Sequence, residues 1–221
     1  MVTTRSMFDR ELKTLNGDLL RLGELVETQL VEAVLALQNR DTAMAHRVVE
    51  FDTTINQMRY DIEEHCYTLL ALQQPNTTDL RRIVAGVSIA TNLERMGDHA
   101  AGIGRLTLRL AELPAAIHIP MFTEMAKLAA ENLAQTMVAL DGFNADLARQ
   151  VVAQDAKIDE VHKRIYDYLI KTMTDNPATI EYATLLLWVS HDIERFADRV
   201  CNICERIVYT VTGNLHEPRT K

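Results

Sequence analysis

Two copies of the pattern Glu-Arg-x-x-Asp, about a hundred residues apart, are the part of this chain best suited to chemistry. One copy contributes Glu94 and Asp98, and the other contributes Glu194 and Asp198. Residues four apart lie on one face of a helix, so each copy directs two carboxylates the same way. Paired carboxylates either bind cations or form ion pairs, and the choice depends on what the shared face contacts.

Two further acidic residues lie on apolar stripes near these motifs. Asp52 and Asp155 each interrupt a run of apolar residues spaced by three or four, which is the pattern of a helix face that packs on its neighbours. Glu94 and Glu194 share their faces with small residues. We therefore expect all four carboxylates on packing faces, where they must be protonated, paired with a base or bound to a cation.

The neighbouring arginines do not show whether these carboxylates form ion pairs or bind cations. Arg95 and Arg195 directly follow the glutamates, so they point about 100° away around the helix and are expected not to neutralise them. Arg59 lies at the edge of its stripe. The residues alone leave two interpretations open, namely interhelical salt bridges in a metal-free scaffold and cation binding.

The cation interpretation uses oxygen donors from both halves of the chain. The second half supplies five donors: Asp155, Asp159, Glu194, Asp198 and Asn202. The first half supplies four: Asp52, Asn56, Glu94 and Asp98. Gly102 stands where the second half has Asn202, so we expect the first site to lack one ligand. Oxygen ligands suit magnesium, manganese, calcium or iron better than zinc, although the choice among iron, manganese, magnesium and zinc stays open.

Catalytic patterns are otherwise missing from the sequence. It contains no ExxH, no P-loop, no GxGxxG and no nucleophile beside a base. Cys201 and Cys204 form a single CxxC inside a helical stretch, which predicts small core residues rather than thiolate ligands. We therefore predict a protein that is not an enzyme, with a carboxylate-bridged metalloenzyme as the alternative.

Composition and charge narrow the class of protein. The 221 residues include eight glycines, five prolines and 5% aromatics, which is typical of a helical protein. The net charge of −8, with scattered basic residues, disfavours binding to nucleic acid or an anionic membrane. No signal peptide or membrane-spanning run is evident, and three cysteines give no disulfide framework, so we expect a cytoplasmic protein.

Apolar periodicity predicts six long helices in two similar halves. Asp52 aligns with Asp155, and Glu94 aligns with Glu194, with their flanking apolar residues in register. An all-α fold of two tandem three-helix bundles follows. The predicted division is a first bundle over residues 1–113, a linker over 114–119, a second bundle over 120–213 and a polar tail over 214–221.

Together these motifs make the chain resemble the PhoU family, the accessory and regulatory proteins of bacterial phosphate transport. The resemblance runs from Phe8 to about Gly213. In the first half it rests on Ile62-Glu63, Cys66, Gln74-Pro75, Asp79-Leu80-Arg81 and Leu93 to His99. In the second half it rests on Glu194 to Arg199 and Asn202 to Glu205. Two departures are Phe196-Ala197, where the family usually has Ile-Gly, and Gly102, where a polar residue is frequent.

The resemblance implies two pseudo-symmetric bundles, each holding one metal ion or a small multinuclear cluster. In the first bundle the implied ligands are Glu94 and Asp98 with Asp52, and in the second they are Glu194 and Asp198 with Asp155, Asp159 and Asn202. It also implies a negative regulator that keeps a sensor histidine kinase in its non-activating state and restrains the ATPase of an ABC phosphate transporter. Such a protein is expected in the cytoplasm, as a homodimer that reaches the inner membrane face only through its partners. It is not expected to bind nucleic acid.

Overall fold

The computed structural model describes residues 4–72, 75–114 and 117–214 as a bundle of six α-helices, with no strand in these ranges. A 3-10 turn over Pro177–Thr179 separates the last two helices. The helices are α1 (Thr4–Asn39), α2 (Thr42–Leu72), α3 (Thr77–Ala111), α4 (Met121–Asp141), α5 (Ala145–Asp175) and α6 (Ile180–Thr212). The predicted all-α fold with six long helices is confirmed.

The internal repeat is visible in the backbone of the two tight turns. Arg40 after α1 and Phe143 after α4 both adopt left-handed conformations, with φ of 52° and 48°. The next residues, Asp41 and Asn144, each accept a hydrogen bond from the backbone N–H three residues later, at 2.9 and 3.0 Å. These side chains satisfy a free N–H group at the start of α2 and α5. Both halves therefore begin their second helix in the same way.

Four helices form the centre of the molecule. α1 packs on α3 and α4, and α6 packs on α3 and α4, while α2 covers α1 and α3 and α5 covers α4 and α6. The buried apolar side chains form one continuous core across both halves, with Leu22, Met96, Phe122 and Phe196 fully enclosed. The two three-helix units therefore share their central face instead of standing apart.

The predicted division at 114–119 stays a prediction. Residues 115 and 116 within it, and residues 215–221 of the predicted polar tail, lie outside the described residues. Among the helices that are described, none carries a stretch long and apolar enough to cross a membrane.

Close contact between α2 and α3 depends on a small residue. A Cβ added at Gly104 would lie 3.1 Å from the carbonyl oxygen of Ala45 and 3.0 Å from a methyl group of Val49. The backbones therefore approach each other at a point where a larger side chain would overpack the interface. This approach brings the acidic stripe of α2 toward the motif on α3.

The three cysteines are buried and form no disulfide. Burial raises the pKa of Cys66 to about 12 and that of Cys204 to about 11. Thiols with such pKa values carry little thiolate at neutral pH and are inert. The prediction that Cys201 and Cys204 are core residues is confirmed.

Candidate metal-binding clusters

The predicted donors lie along two helix interfaces, one in each half. We name them the first cluster and the second cluster. The first cluster consists of Asp52 and Asn56 on α2 with Glu94 and Asp98 on α3. The second cluster consists of Asp155 and Asp159 on α5 with Glu194, Asp198 and Asn202 on α6.

The carboxylates lie at the edge of the packing faces and not deep within them. Asp52, Glu94, Asp155 and Glu194 are half-buried, as the apolar stripes predict, because their neighbours along the stripe fill the core. Asp98 and Asp159 are exposed, which the stripes did not predict. Each cluster is therefore open to solvent on one side.

Asp52 is the most constrained donor of the first cluster. Its Oδ2 accepts a hydrogen bond of 3.1 Å from the amide of Asn56, while its Oδ1 is buried without a hydrogen-bond partner among the described residues. Burial and then the charge of Asp98 raise the pKa of Asp52, and Arg105 and the Asn56 hydrogen bond act against that rise. Asp52 and Asp98 thus face one another across the α2–α3 interface.

Glu94 joins the same electrostatic group. Its pKa is raised by burial and then by Asp98, with a further contribution from Asp52. Arg59 and Arg95 act in the opposite direction. Three carboxylates of the first cluster therefore repel one another, and arginines around them reduce that repulsion.

The second cluster contains more mutually repelling carboxylates. Burial raises the pKa of Asp155, followed by the charge of Asp159 one turn away and by Asp198 and Glu194 on the facing helix. A hydrogen bond from the thiol of Cys201 partly offsets these effects. Four carboxylates therefore repel one another along the α5–α6 interface, and a bound cation would relieve that repulsion.

Arg195 corrects the expectation that the motif arginines cannot reach the motif acids. Its Nη1 lies 3.2 Å from Oδ2 of Asp198, and its Nε lies 3.8 Å from Oε2 of Glu194. The long guanidinium side chain folds back along the outside of α6, so it overcomes the angular separation of neighbouring residues. This ion pair is about half exposed on the arginine side, and its net contribution to stability is therefore small.

One oxygen of the second cluster still lacks a hydrogen bond. Oε2 of Glu194 is buried, and its two nearest bases, His191 and Arg195, lie 3.7 and 3.8 Å away, beyond hydrogen-bond distance. Asn202 is half-buried one turn after Asp198 on the same helix. A buried anionic oxygen without a hydrogen bond, next to further oxygen donors, fits a hard divalent cation.

The donors do not converge as their side chains lie. Within the described ranges, no three His, Cys, Asp or Glu side chains are arranged closely enough to hold a metal ion. Coordination therefore requires rotation of the carboxylates toward one another. Side-chain torsions allow such rotation, because the motif acids of each cluster share a helix face.

A contact between α3 and α6 accounts for the glycine at position 102. Oδ1 of Asp192 on α6 lies 3.1 Å from Nδ1 of His99 on α3. A Cβ added at Gly102 would lie 2.8 Å from the other oxygen of Asp192. Gly102 thus makes room for an aspartate that links the two halves. Sequence reasoning missed this pair. The available signal was that the first half has Asn92 at the position where the second half has Asp192.

Comparison with known proteins agrees with this fold and these motifs. A family model described as the PhoU domain matches residues 19–107 and 122–207, one segment in each half. A relative from Streptococcus pneumoniae serotype 4, named phosphate-specific transport system accessory protein PhoU homolog, is 39% identical over 211 residues, covering 96% of this chain and 98% of its own. A relative of the same name from Clostridium acetobutylicum is 33% identical and covers 95% of this chain and 96% of its own.

Solved structures show the same similarity. The crystal structure of the phosphate transport system regulatory protein PhoU from Streptococcus pneumoniae matches with a TM-score of 0.90 and 36% identity, covering 96% of this chain and all of that one. The crystal structure of PhoU from Pseudomonas aeruginosa matches with a TM-score of 0.89 and 32% identity over 94% of this chain and all of that one. The chain therefore belongs to the PhoU family.

Proposed function

We propose that this protein is the accessory protein of a phosphate-specific transport system and a negative regulator of phosphate-starvation signalling. The observation that carries the proposal is similarity over nearly the whole chain to relatives that bear the accessory name. The proposed partners are the ATPase of the ABC phosphate transporter and the sensor histidine kinase of the phosphate response. The protein works in the cytoplasm and reaches the inner membrane face through these partners.

Exposed apolar side chains on α6 offer a surface for such partners or for a second copy of the chain. Ile180 and Trp188 are 49% and 57% exposed, and they lie two turns apart on one side of the helix. An exposed tryptophan is a frequent anchor of protein interfaces. This surface supports the proposed homodimer or partner contact, and a Trp188→Ser variant studied by light scattering tests the dimer.

The second cluster is proposed to bind a divalent cation. Asp155 and Asp159 would hold it from α5, and Glu194, Asp198 and Asn202 would hold it from α6. A bound cation supplies positive charge that offsets the mutual repulsion of these carboxylates and ties the two helices together. The role of the cation is thus structural and regulatory.

A metal-free scaffold is the second candidate, because Arg195 pairs with Asp198 in the structure. Elemental analysis of protein purified without chelators separates the two. Stoichiometric manganese, iron or magnesium supports the metal site. A metal-free protein, with Glu194→Gln neutral or stabilising, supports the scaffold.

The regulatory role is tested in the host cell. Deletion of the gene is expected to switch on a phosphate-starvation promoter in phosphate-rich medium, and the wild-type gene should restore repression. A gene that carries Asp198→Asn is expected to restore repression incompletely. Asp146→Asn is its matched control and should restore it fully, because Asp146 also forms an ion pair with an arginine on its own helix, at 2.8 Å, and lies outside the clusters. Unchanged promoter activity after deletion would contradict the role.

A further inference from the structure

A cleft of about 390 Å³ opens beside the turn that follows α4, between α1, α3 and the end of α6. We name it the end cleft. Its volume lies within the range of roughly 300–1,000 Å³ that is typical of small-molecule sites. Its floor consists of buried apolar side chains, namely Leu15, Leu19, Ala85, Ile89 and Leu140. The end cleft can therefore enclose the apolar part of a small ligand.

A glycine within α3 lies in the wall of the end cleft. A Cβ added at Gly86 would lie 3.5 Å from Sγ of Cys66 and 3.6 Å from Cδ2 of Leu15, which are ordinary contact distances. Packing therefore does not require glycine here, although glycine destabilises a helix interior relative to alanine. The absence of a side chain at Gly86 adds to the free space of the cleft.

The internal repeat produces a smaller cleft at the equivalent place in the other half. Its volume is about 180 Å³, and Tyr182 and Leu186 contribute to its lining. These two residues stand in the repeat where the end cleft has Arg82 and Gly86, since the motifs on α3 and α6 align with the same offset. The end cleft is thus the member of the pair with more free space and with a guanidinium group from α3.

The arginines of the two clefts differ in their partners. In the smaller cleft, Nη2 of Arg40 donates to the backbone carbonyls of Leu110 and Leu113 at 3.2 and 3.0 Å. In the end cleft, Cζ of Arg82 lies 4.2 Å from the centre of the Phe143 ring, a stacking contact that holds the guanidinium group in place. Its Nε is buried without a hydrogen-bond partner among the described residues. A half-buried cation whose N–H group has no acceptor is costly, and an anion beside it would remove that cost.

The two acids that line the end cleft are already engaged. Asp9 lies 2.9 Å from Nε of Arg5, which also reaches the buried Asp79 at 2.7 Å. Asp141 accepts a hydrogen bond of 3.1 Å from the amide of Asn16. Asp9 and Asp141 both lie at the exposed rim, so water screens their charges.

The two bases that line the end cleft have no such partners. Lys13 lies at the exposed rim and Arg82 is half-buried beside the apolar floor, and neither forms an ion pair with a described residue. With Arg5 and Asp79 included, acids and bases are equal in number, so the net charge does not select a ligand. Arg82 does, because a half-buried charge is screened less than the exposed ones and still lacks an acceptor.

We propose that the end cleft binds a small amphipathic anion, a carboxylate or phosphate ester whose acidic group lies at Arg82 and whose apolar body covers the floor beside Gly86. A guanidinium group holds either kind of acidic group through paired N–H···O hydrogen bonds. The ligand contacts α1 and α3 of the first half and Phe143 of the second, so it links the two halves. The site is separate from the two acidic clusters and does not depend on the proposed metal binding.

Calorimetric titration of the full chain tests the proposal with ligands that share one apolar body. Octyl phosphate, octanoate and octylammonium are each titrated into the wild type and into Arg82→Gln. At least one of the two anions is expected to bind one site per chain, at least tenfold more tightly than octylammonium, and the tighter anion identifies the acidic group. Arg82→Gln should weaken its binding at least tenfold. Equal binding of octylammonium, no binding of either anion, or unchanged binding in Arg82→Gln would overturn the proposal.

Filling the end cleft provides the second test. Gly86→Leu introduces the residue of the smaller cleft and should remove anion binding, whereas Gly17→Leu, where nothing lies within 4 Å of an added Cβ, should bind as the wild type does. Arg109→Gln, at an exposed arginine elsewhere on α3, is the matched control for Arg82→Gln and should also bind normally. Circular dichroism confirms folding, and the Arg82→Gln comparison decides the matter if Gly86→Leu does not fold. A folded Gly86→Leu protein with wild-type affinity would contradict the place given to the apolar body.

Discussion

Replacement of Gly102 by alanine tests the contact that joins the two halves. The new Cβ would lie 2.8 Å from Oδ2 of Asp192, whereas ordinary contacts begin at 3.4 Å, so the carboxylate must move by about half an ångström. Its other oxygen lies 3.1 Å from Nδ1 of His99, and this shift stretches that hydrogen bond toward its limit. The variant therefore gains helix propensity but weakens a contact between α3 and α6.

The magnitude follows from two opposing effects. Alanine in place of glycine within a helix stabilises by about 1 kcal/mol. A hydrogen bond to a charged group contributes roughly 1.5–3 kcal/mol, which we reduce to about 1–1.5 kcal/mol because the His99 and Asp192 side chains are 24% and 21% exposed. Gly102→Ala should therefore be close to neutral in the wild type. In an Asp192→Ala background it should stabilise by about 1 kcal/mol.

The assay is a double-mutant cycle on urea unfolding, followed by circular dichroism at 222 nm. The coupling between Gly102→Ala and Asp192→Ala is expected to be about 1–1.5 kcal/mol. Gly17→Ala is the control, because nothing lies within 4 Å of its added Cβ and it should stabilise equally in both backgrounds. If Gly102→Ala stabilises the wild type as much as Gly17→Ala does, Gly102 does not serve to admit Asp192.

Three further predictions concern the acids, the thiols and a helix cap. Because burial and Asp159 raise the pKa of Asp155, the native state binds more protons than the unfolded chain, so stability falls as pH rises through that window. In metal-free protein, the stabilising effect of Asp155→Asn should therefore be small below the unfolded pKa of about 3.9 and grow as pH rises; urea midpoints across this range measure it, and a constant difference would contradict it. Cys66 and Cys204, with pKa values of about 12 and 11, should react with Ellman's reagent far more slowly in native buffer than in urea, and immediate reaction in native buffer would refute their burial. Asn76→Ala removes an acceptor for two N–H groups of α3 and should cost about 1 kcal/mol in thermal unfolding, whereas an unchanged midpoint would show that the cap is dispensable.

The helices and their repeat could be predicted because their signals are local. Apolar residues at helical spacing mark the core faces, and Asp41 and Asn76, which are residue types that favour helix starts, cap α2 and α3. An equivalent turn recurs in the second half, where Phe143 adopts the left-handed conformation that Arg40 adopts in the first. Such features depend on a few neighbouring residues, so the amino-acid order alone contains them.

The electrostatic details of the clusters depend on contacts between side chains and between helices, which cannot be predicted from the spacing of residues along the chain. Helix phase placed Asp98 with the other acids but did not reveal that it lies at the solvent edge. The angular position of Arg195 argued against a contact that its flexible side chain nevertheless makes. Asp192 and His99 meet because α3 packs on α6, and spacing within either helix cannot show that packing.

The most direct test of the central claim is an anomalous diffraction measurement on crystals of protein purified without chelators. The account predicts a metal peak between α5 and α6, within coordination distance of Asp155, Glu194 and Asp198. Crystals with no metal at the second cluster, and with Asp198 paired to Arg195 alone, would contradict it.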